Sequence, residues 1–122
     1  PIYCTSLGKA LILDMSDEEI RVLFSNTVFQ KFGPHTHANV ESLIKDIHTC
    51  AARGWTHDNE EAETGMNCVA APIRDYRGHI ISSISTSWAL ESRPDLEPEK
   101  VAVHVMKAAG AISAAMGFAG KK

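Results

Sequence analysis

The sequence predicts an α+β domain in which helices flank an antiparallel sheet. The first half of the chain carries apolar residues at helical spacing, and two stretches of the second half are rich in Val, Ile, Ser and Thr. A turn signal lies between these two stretches, and a further helical pattern follows them. Helices segregated from a run of consecutive strands are typical of this fold class. The length of 122 residues matches a single domain.

Three helices are predicted in the first half because each begins at a residue that can cap it. The expected caps are Thr5 or Ser6 for the first helix, Ser16 with Glu19 for the second, and Asn39 for the third. Gly33-Pro34 separates the second helix from the third. Gly54 occupies the usual glycine position at the end of the third helix, whose apolar stripe includes Cys50.

A β-hairpin is predicted next, preceded by a short strand over residues 55–58. The hairpin strands cover residues 67–73 and 79–88, and Asp75-Tyr76-Arg77-Gly78 between them is a turn signal. A last helix begins at Pro98, because proline is favoured in the first helical turn. The apolar face expected for this helix consists of Val101, Val105, Ala108, Ile112 and Ala115.

The hairpin turn determines which side chains share a face of the sheet. A loop of two or of four residues places Cys68 directly opposite Ser85, and opposed residues project from the same face. The same face then carries Ser83 and Ser87, and the other face carries Ile80, Ile84 and Trp88. A row of hydroxyl groups suits a ligand carboxylate or hydroxyl. Two alternatives stay open: the serines only cover a solvated face, or a three-residue loop shifts the register.

Composition and charge argue against several classes of protein. The formal net charge is -3 and the basic residues are scattered, which argues against direct contact with a nucleic-acid backbone. No apolar run approaches the roughly 20 residues of a membrane span, and no signal peptide is visible. The cysteines Cys4, Cys50 and Cys68 form an odd set without CxxC spacing, so a reducing cytoplasm is expected. The chain begins without an initiator Met, which indicates a piece of a longer protein.

Several segments of the chain are similar to those of one family of bacterial regulators. They are YCTSLGKAL (3–11), DNEE (58–61) with GMNCVAAP (65–72), DYRG (75–78), ISTS (84–87) and AISAAMG (111–117). In this order they resemble the C-terminal effector-binding domain of the IclR family of transcription regulators. The resemblance implies a GAF-like fold, in which the antiparallel sheet and its flanking helices hold an effector in a pocket.

The resemblance also implies how the chain fits into a whole regulator. Residues 1–122 would form the C-terminal part of the effector domain, without its first strands. A winged helix-turn-helix domain upstream would contact the DNA, and members of the family commonly assemble as a homodimer or homotetramer. No contact with a membrane is expected, and neither a cofactor nor a catalytic residue is implied.

Six residues correspond to positions that hold a small organic acid in the family. Backbone amides at the start of the SxGKA helix, an acid and a cysteine of the D-x-E-E…C segment, and serines of the S-x-S strand make these contacts. In this sequence the positions are Ser6, Leu7, Asp58, Cys68, Ser85 and Ser87. The first N–H groups of a helix suit an anion. Because a carboxylate repels a bound anion, Asp58 is expected to accept a bond from a ligand hydroxyl or to orient a donor.

The other polar residues are expected to have ordinary structural roles. Lys9 could neutralise an anion, but a lysine one turn into a helix is usually solvated. The residues expected to be solvated or to cap the loop locally are Glu60, Glu61 and Glu63. The histidines weighed as metal ligands, which match no closed zinc pattern, are His35, His37 and His57. No metal site is therefore predicted. Two alternatives to effector binding stay open: a GAF-like redox or cysteine-dependent enzyme that uses Cys68, and a dimerisation domain with an empty pocket.

Overall fold

A computed structural model describes residues 1–120 of the chain. Within that part, four α-helices and three strands follow a short 3-10 turn, in the predicted order. The elements are the 3-10 turn (Ile2–Cys4), α1 (Ser6–Leu11), α2 (Asp17–Leu23), α3 (Val40–Arg53), β1 (Thr56–Asn59), β2 (Met66–Arg74), β3 (Ile80–Ala89) and α4 (Pro98–Ala115). The antiparallel sheet, ordered β1-β2-β3 and flanked by helices, confirms the α+β fold class. No helix in the described part has the length and apolar character needed to cross a membrane.

Each helix of the first half begins at a predicted cap. Thr5, and not Ser6, caps α1, because its hydroxyl accepts a hydrogen bond from the amide of Gly8 at 3.1 Å. The other predicted caps are confirmed as well: the Ser16–Glu19 box of α2, Asn39 at the start of α3 and the left-handed Gly54 at its end. These bonds satisfy N–H and C=O groups that a helix cannot satisfy internally, so local sequence fixes the helix ends.

The hairpin register differs from the predicted one by two residues. Cys68 lies opposite Ser87, whereas Ser85 lies opposite Ala70. The prediction that Cys68 directly faces Ser85 is therefore wrong. Because side chains alternate along a strand with a period of two, this even shift keeps Cys68 and both serines on one face of the sheet.

The shift of two residues has two sources near the hairpin turn. The loop contains three residues, since the amide of Asp75 donates to the carbonyl of His79, and Gly78 is left-handed with a φ of 83°. A β-bulge then adds a further residue, because the pairing with β2 passes over Ile81. Either feature alone would have moved the serines to the opposite face; together they restore it.

Two apolar clusters hold the elements together. The first lies among the 3-10 turn and the helices α1 to α3 and comprises Tyr3, Cys4, Ile12, Leu13, Ile20, Phe24, Leu43, Ile44, Ile47 and Cys50. The second lies between one sheet face and α4 and comprises Trp55, Val69, Ala71, Ile73, Trp88, Ala102, Val105 and Ala109. Ile80 packs against the first cluster, whereas Ile84 and Trp88 belong to the second; the prediction that they share a face is wrong because the bulge turns Ile80 over.

The buried face of α4 is rotated slightly from the predicted one. Its fully buried residues are Ala102, Val105, Ala109 and Ser113. Ile112, which was expected on this face, is 38% exposed. The small side chains bring the helix close to the sheet, where the amide of Arg74 donates to Ser113 Oγ at 2.9 Å. Hydrophobicity alone favours the larger residues beside this face, which explains the wrong prediction.

Candidate ligand-binding site

One row of polar side chains crosses all three strands. Asp58 on β1 lies opposite Cys68 on β2, and Cys68 lies opposite Ser87 on β3. Directly opposed residues share a face, so a carboxylate, a thiol and a hydroxyl project side by side. The thiol of Cys68 donates a hydrogen bond to Ser87 Oγ at 3.2 Å. We call these three residues the polar row; they are half of the six predicted contacts.

Asp58 is held in place by the loop that follows β1. The residue is 3% exposed, and its Oδ1 accepts hydrogen bonds from the amides of Glu61 at 2.8 Å and Ala62 at 3.3 Å. A carboxylate that caps a turn in this way has a fixed orientation. Neither bond uses Oδ2, so that oxygen is left for another donor.

Cys68 and Ser87 form the accessible end of the polar row. Ser87 is exposed and Cys68 is half-buried. Burial raises the pKa of the Cys68 thiol, and the hydrogen bond with Ser87, which acts in the opposite direction, does not offset it. The thiol is therefore protonated at neutral pH, so Cys68 is a hydrogen-bond donor and a poor nucleophile.

A second row lies next to the polar row and docks α1 against the sheet. Its members are Thr56, Ala70 and Ser85. The hydroxyl of Thr56 donates to the carbonyl of Ser6 at 2.7 Å. Farther along β3, the hydroxyl of Ser83 donates to the carbonyl of Leu7 at 3.1 Å. The first turn of α1 therefore covers the same sheet face that carries the polar row.

The amides of Ser6 and Leu7 lie in the first turn of α1, where N–H groups have no acceptor within the helix. The amide of Gly8, by contrast, donates a hydrogen bond to the hydroxyl of Thr5. With six residues, α1 contributes only a short dipole, so individual N–H groups matter more than the helix as a whole. Ser6 is buried and Leu7 is 43% exposed. Ligand contacts by all six predicted residues stay predictions.

The most deeply buried charge near the polar row belongs to Lys9, a residue expected to be solvated. Lys9 is 0% exposed. Its ammonium donates to Asp46 Oδ2 at 2.8 Å, to both carboxylate oxygens of Glu61 at 2.9 Å, and to the carbonyl of His57. Burial alone would lower the pKa of Lys9, but the carboxylates of Glu61 and Asp46 raise it, so the side chain stays charged. The expectation that Lys9 is solvated is therefore wrong, and of the two roles expected for Glu61 the solvated one is excluded because the residue is buried.

A signal for this cluster was present in the sequence. Asp46 stands on the apolar stripe of α3, between Leu43 and Cys50 at helical spacing. A carboxylate at a buried position requires a cationic partner, because an unpaired buried charge is costly. Lys9 is the corresponding cation on α1, where its neighbours Gly8 and Ala10 are also buried.

His37 completes the cluster around the ammonium. Its Nε2 lies 2.9 Å from Asp46 Oδ2 and 3.8 Å from Glu61 Oε1. By geometry alone these three side chains could hold a metal ion, since their ligand atoms lie within 4.8 Å of one another. The ammonium of Lys9 already contacts both carboxylates, however, and supplies the positive charge that a metal would bring.

A separate cavity lies away from the polar row. It has a volume of about 490 Å³ and lies between α3, β2 and α4, where its lining includes Arg74, Met106 and Ser113. None of the six predicted contacts lines it. The polar row instead occupies a sheet face that is open at Ser87.

The chain matches known regulators in sequence and in structure. Its residues 1–114 match the family model for the C-terminal region of the bacterial transcriptional regulator IclR. The chain is 34% identical over 87 residues to the HTH-type transcriptional repressor AllR of Escherichia coli K12, a match that covers 71% of this chain and 32% of AllR. This chain therefore spans less than half the length of that relative.

Solved structures share the fold over nearly the whole chain. The repressor BlcR of Agobacterium tumefaciens superposes with a TM-score of 0.90 at 28% identity, covering 98% of this chain and 48% of that one. An IclR homolog from Microbacterium hydrocarbonoxydans, crystallised in complex with 4-hydroxybenzoate, superposes with a TM-score of 0.81 over 95% of this chain and 46% of its own. Its identity of 22% means that this second likeness shows the fold alone.

Proposed function

The chain belongs to the IclR family of bacterial transcriptional regulators, and from this premise we propose that it is an effector-sensing domain that binds a small organic acid. The observation that carries the proposal is the polar row Asp58–Cys68–Ser87. It sets a carboxylate, a thiol and a hydroxyl side by side on the sheet face against which the first turn of α1 packs, through Thr56 and Ser83. Such a set of donors and acceptors on one face suits a polar ligand.

The order of groups along the row suggests how an acid would lie on it. Asp58 would repel a ligand carboxylate, whereas Ser87 and Cys68 can donate to one. The carboxylate would therefore lie toward β3, and a ligand hydroxyl would donate to Asp58 on β1. Two strand spacings, about 10 Å, separate these outer strands. The carboxylate oxygens would also accept hydrogen bonds from the amides of Ser6 and Leu7 and from the hydroxyl of Ser85.

A hydroxy acid is the ligand class that this arrangement fits. The Microbacterium homolog holds 4-hydroxybenzoate, which carries a carboxylate at one end and a hydroxyl at the other. That ligand belongs to the other protein, and the likeness between the two chains is one of fold alone. The pairing of a donor end with an acceptor end in the polar row is the independent support.

The role of the whole protein follows from the same premise. We infer that DNA is contacted through a helix-turn-helix domain elsewhere in the protein, as the description of AllR indicates for that relative. Residues 1–122 would then be the C-terminal part of the effector domain. A homodimer or homotetramer in the cytoplasm is the proposed assembly, with ligand occupancy changing the affinity for DNA through linked equilibria.

A panel of acids tests the proposal. Thermal unfolding of the purified protein would be followed with pyruvate, lactate, gluconate and 4-hydroxybenzoate. An acid that binds the folded state raises the melting temperature with its concentration. For the acid that stabilises the protein most, Ser87→Ala should raise the dissociation constant at least about tenfold, because a hydrogen bond to a charged group contributes about 1.5–3 kcal/mol.

Ser82→Ala is the matched control for Ser87→Ala. Ser82 lies on the same strand and is exposed, but its side chain projects from the opposite face. We expect its affinity for the acid to stay within about twofold of the wild type, a change of about 0.4 kcal/mol. A panel without any stabilising acid, or equal losses in the two variants, would contradict the proposal.

Substitution of Cys68 separates ligand binding from catalysis. We propose that binding occurs without chemistry, which is consistent with a thiol whose pKa is raised by burial. Cys68→Ser keeps a small donor next to Ser87 and should retain most of the affinity for the acid. Turnover of any panel acid that disappears in this variant would instead establish a cysteine-dependent enzyme.

A further inference from the structure

Lys9 forms hydrogen bonds with residues on both sides of Asp58 in the sequence. Its ammonium donates to the carbonyl of His57, the residue before Asp58, and to both carboxylate oxygens of Glu61 at 2.9 Å. The amide of Glu61 in turn donates to Asp58 Oδ1 at 2.8 Å. A continuous set of polar contacts therefore runs from α1 through Lys9 and Glu61 to the carboxylate of the polar row.

The remaining partner of the ammonium leads away from Asp58. Asp46 accepts from Lys9 at 2.8 Å, and its other contacts are with His37 at 2.9 Å and with the thiol of Cys50 at 3.5 Å. These residues lie on α3 or immediately before it. Lys9 thus has two carboxylate partners of the same chemistry. Glu61 donates directly to Asp58 through its amide, whereas Asp46 reaches Glu61 only by way of Lys9 or of His37, whose Nε2 lies 3.8 Å from Glu61 Oε1.

We propose that Lys9 is a positioning residue for Asp58 and that it acts through Glu61, not through Asp46. Loss of the ammonium or of the Glu61 carboxylate would release the turn over residues 58–62. The carboxylate of Asp58 would then no longer be held toward a ligand hydroxyl. The effect on ligand affinity rests on the proposed function, whereas the effect on the turn does not.

Stability alone explains a buried Lys9 less well than positioning does. Two charges that leave water lose their hydration, so a buried ion pair is often no more stabilising than apolar side chains of equal volume. Hydrogen bonds between charged groups also fix the relative orientation of donor and acceptor, because they form in only one geometry. Here the directed bonds reach the residue before Asp58 and the residue three positions after it.

The matched pair Glu61→Gln and Asp46→Asn tests this proposal. Each variant replaces one carboxylate partner of Lys9 with a neutral amide, and Lys9→Met removes the ammonium. Hydrogen exchange at the amides of residues 61 and 62, which donate to Asp58, would be measured by NMR. After correction for global stability, we expect exchange to accelerate about tenfold in Glu61→Gln and less than about twofold in Asp46→Asn.

Affinity for an acid gives the second readout. With the panel acid that stabilises the wild type most, Glu61→Gln should weaken binding about tenfold, or about 1.4 kcal/mol, and Asp46→Asn less than about twofold. Equal effects of the two variants on exchange would overturn the proposal, and so would exchange that follows global stability alone. If no acid binds the wild type, the proposed function fails, but the exchange comparison still decides the role of Lys9. If Lys9→Met does not fold, the matched pair decides it.

Discussion

Among single residues, a buried lysine and a half-buried histidine behave in opposite ways because their partners differ in charge. Lys9 faces the carboxylates of Glu61 and Asp46, which raise its pKa in spite of burial. Burial lowers the pKa of His57, and its hydrogen bond with the neutral amide of Asn67 does not offset this, while the nearby charges of Lys9 and Arg53 lower it further. At neutral pH the lysine is therefore charged and this histidine is neutral.

Protonation of His57 should destabilise the fold as the solution becomes acidic. A base whose pKa is lower in the folded state stabilises the fold above its unfolded pKa, about 6.5 for histidine, and this contribution is lost as the pH falls below that value. We expect the free energy of unfolding to fall between neutral pH and pH 5, with a shallower slope in His57→Gln. Urea unfolding across this range measures it. Identical slopes in the two proteins would contradict the assignment.

At the scale of elements, the hairpin shows what could be predicted from the sequence and what could not. The alternation of polar and apolar residues along β3 is a local property, so it correctly placed Ser83, Ser85 and Ser87 on one face. The three-residue loop has a local signal in the left-handed Gly78, but the same four residues also fit a shorter or longer loop, and no short motif reports the bulge at Ile81. The shared face of Cys68 and the three serines was therefore predicted correctly, while the partner of Cys68 and the face of Ile80 were not.

Helix α1 lies so close to the preceding 3-10 turn that its first turn requires a glycine. A Cβ at Gly8 would lie 2.5 Å from Ile2 Cα and 2.7 Å from its carbonyl oxygen. Both atoms belong to the backbone and cannot move aside alone. We expect Gly8→Ala to lower the free energy of unfolding by about 1–3 kcal/mol, the usual cost of overpacking, as measured by urea denaturation.

Gly110→Ala is the control for Gly8→Ala. Gly110 also lies within a helix, α4, but a Cβ there would meet no atom within 4 Å. Alanine favours a helix over glycine by about 0.5–1 kcal/mol, so this variant should be more stable than the wild type. Destabilisation by both substitutions to the same extent would show that close packing at Gly8 is not the cause.

At the scale of the whole molecule, the polar row and the Lys9 cluster depend on contacts between distant segments. Asp58 and Ser87 lie in one row only because β2 lies between their strands and pairs with both. Lys9, Asp46 and Glu61 come from α1, α3 and the loop after β1. The helix caps and the alternation of side chains along each strand could be predicted because they depend on neighbours in sequence. The burial of Lys9 could not, because it depends on which helix faces cover one another.

The Lys9 cluster should set part of the acid stability of the whole domain. Burial by itself would raise the pKa of Asp46, but the hydrogen bond from His37 and the charge of Lys9 lower it well below its usual range. A carboxylate whose pKa is lower in the folded state stabilises the fold above its unfolded pKa, about 3.9, and this contribution is lost as the pH falls below that value.

Asp46→Asn should therefore be less stable than the wild type by about 2 kcal/mol at pH 6, since it loses a charged hydrogen-bond acceptor. In urea unfolding at pH 6, 4 and 3, the difference should shrink below pH 4, and a constant difference would show that Asp46 carries no charge-dependent share of the stability.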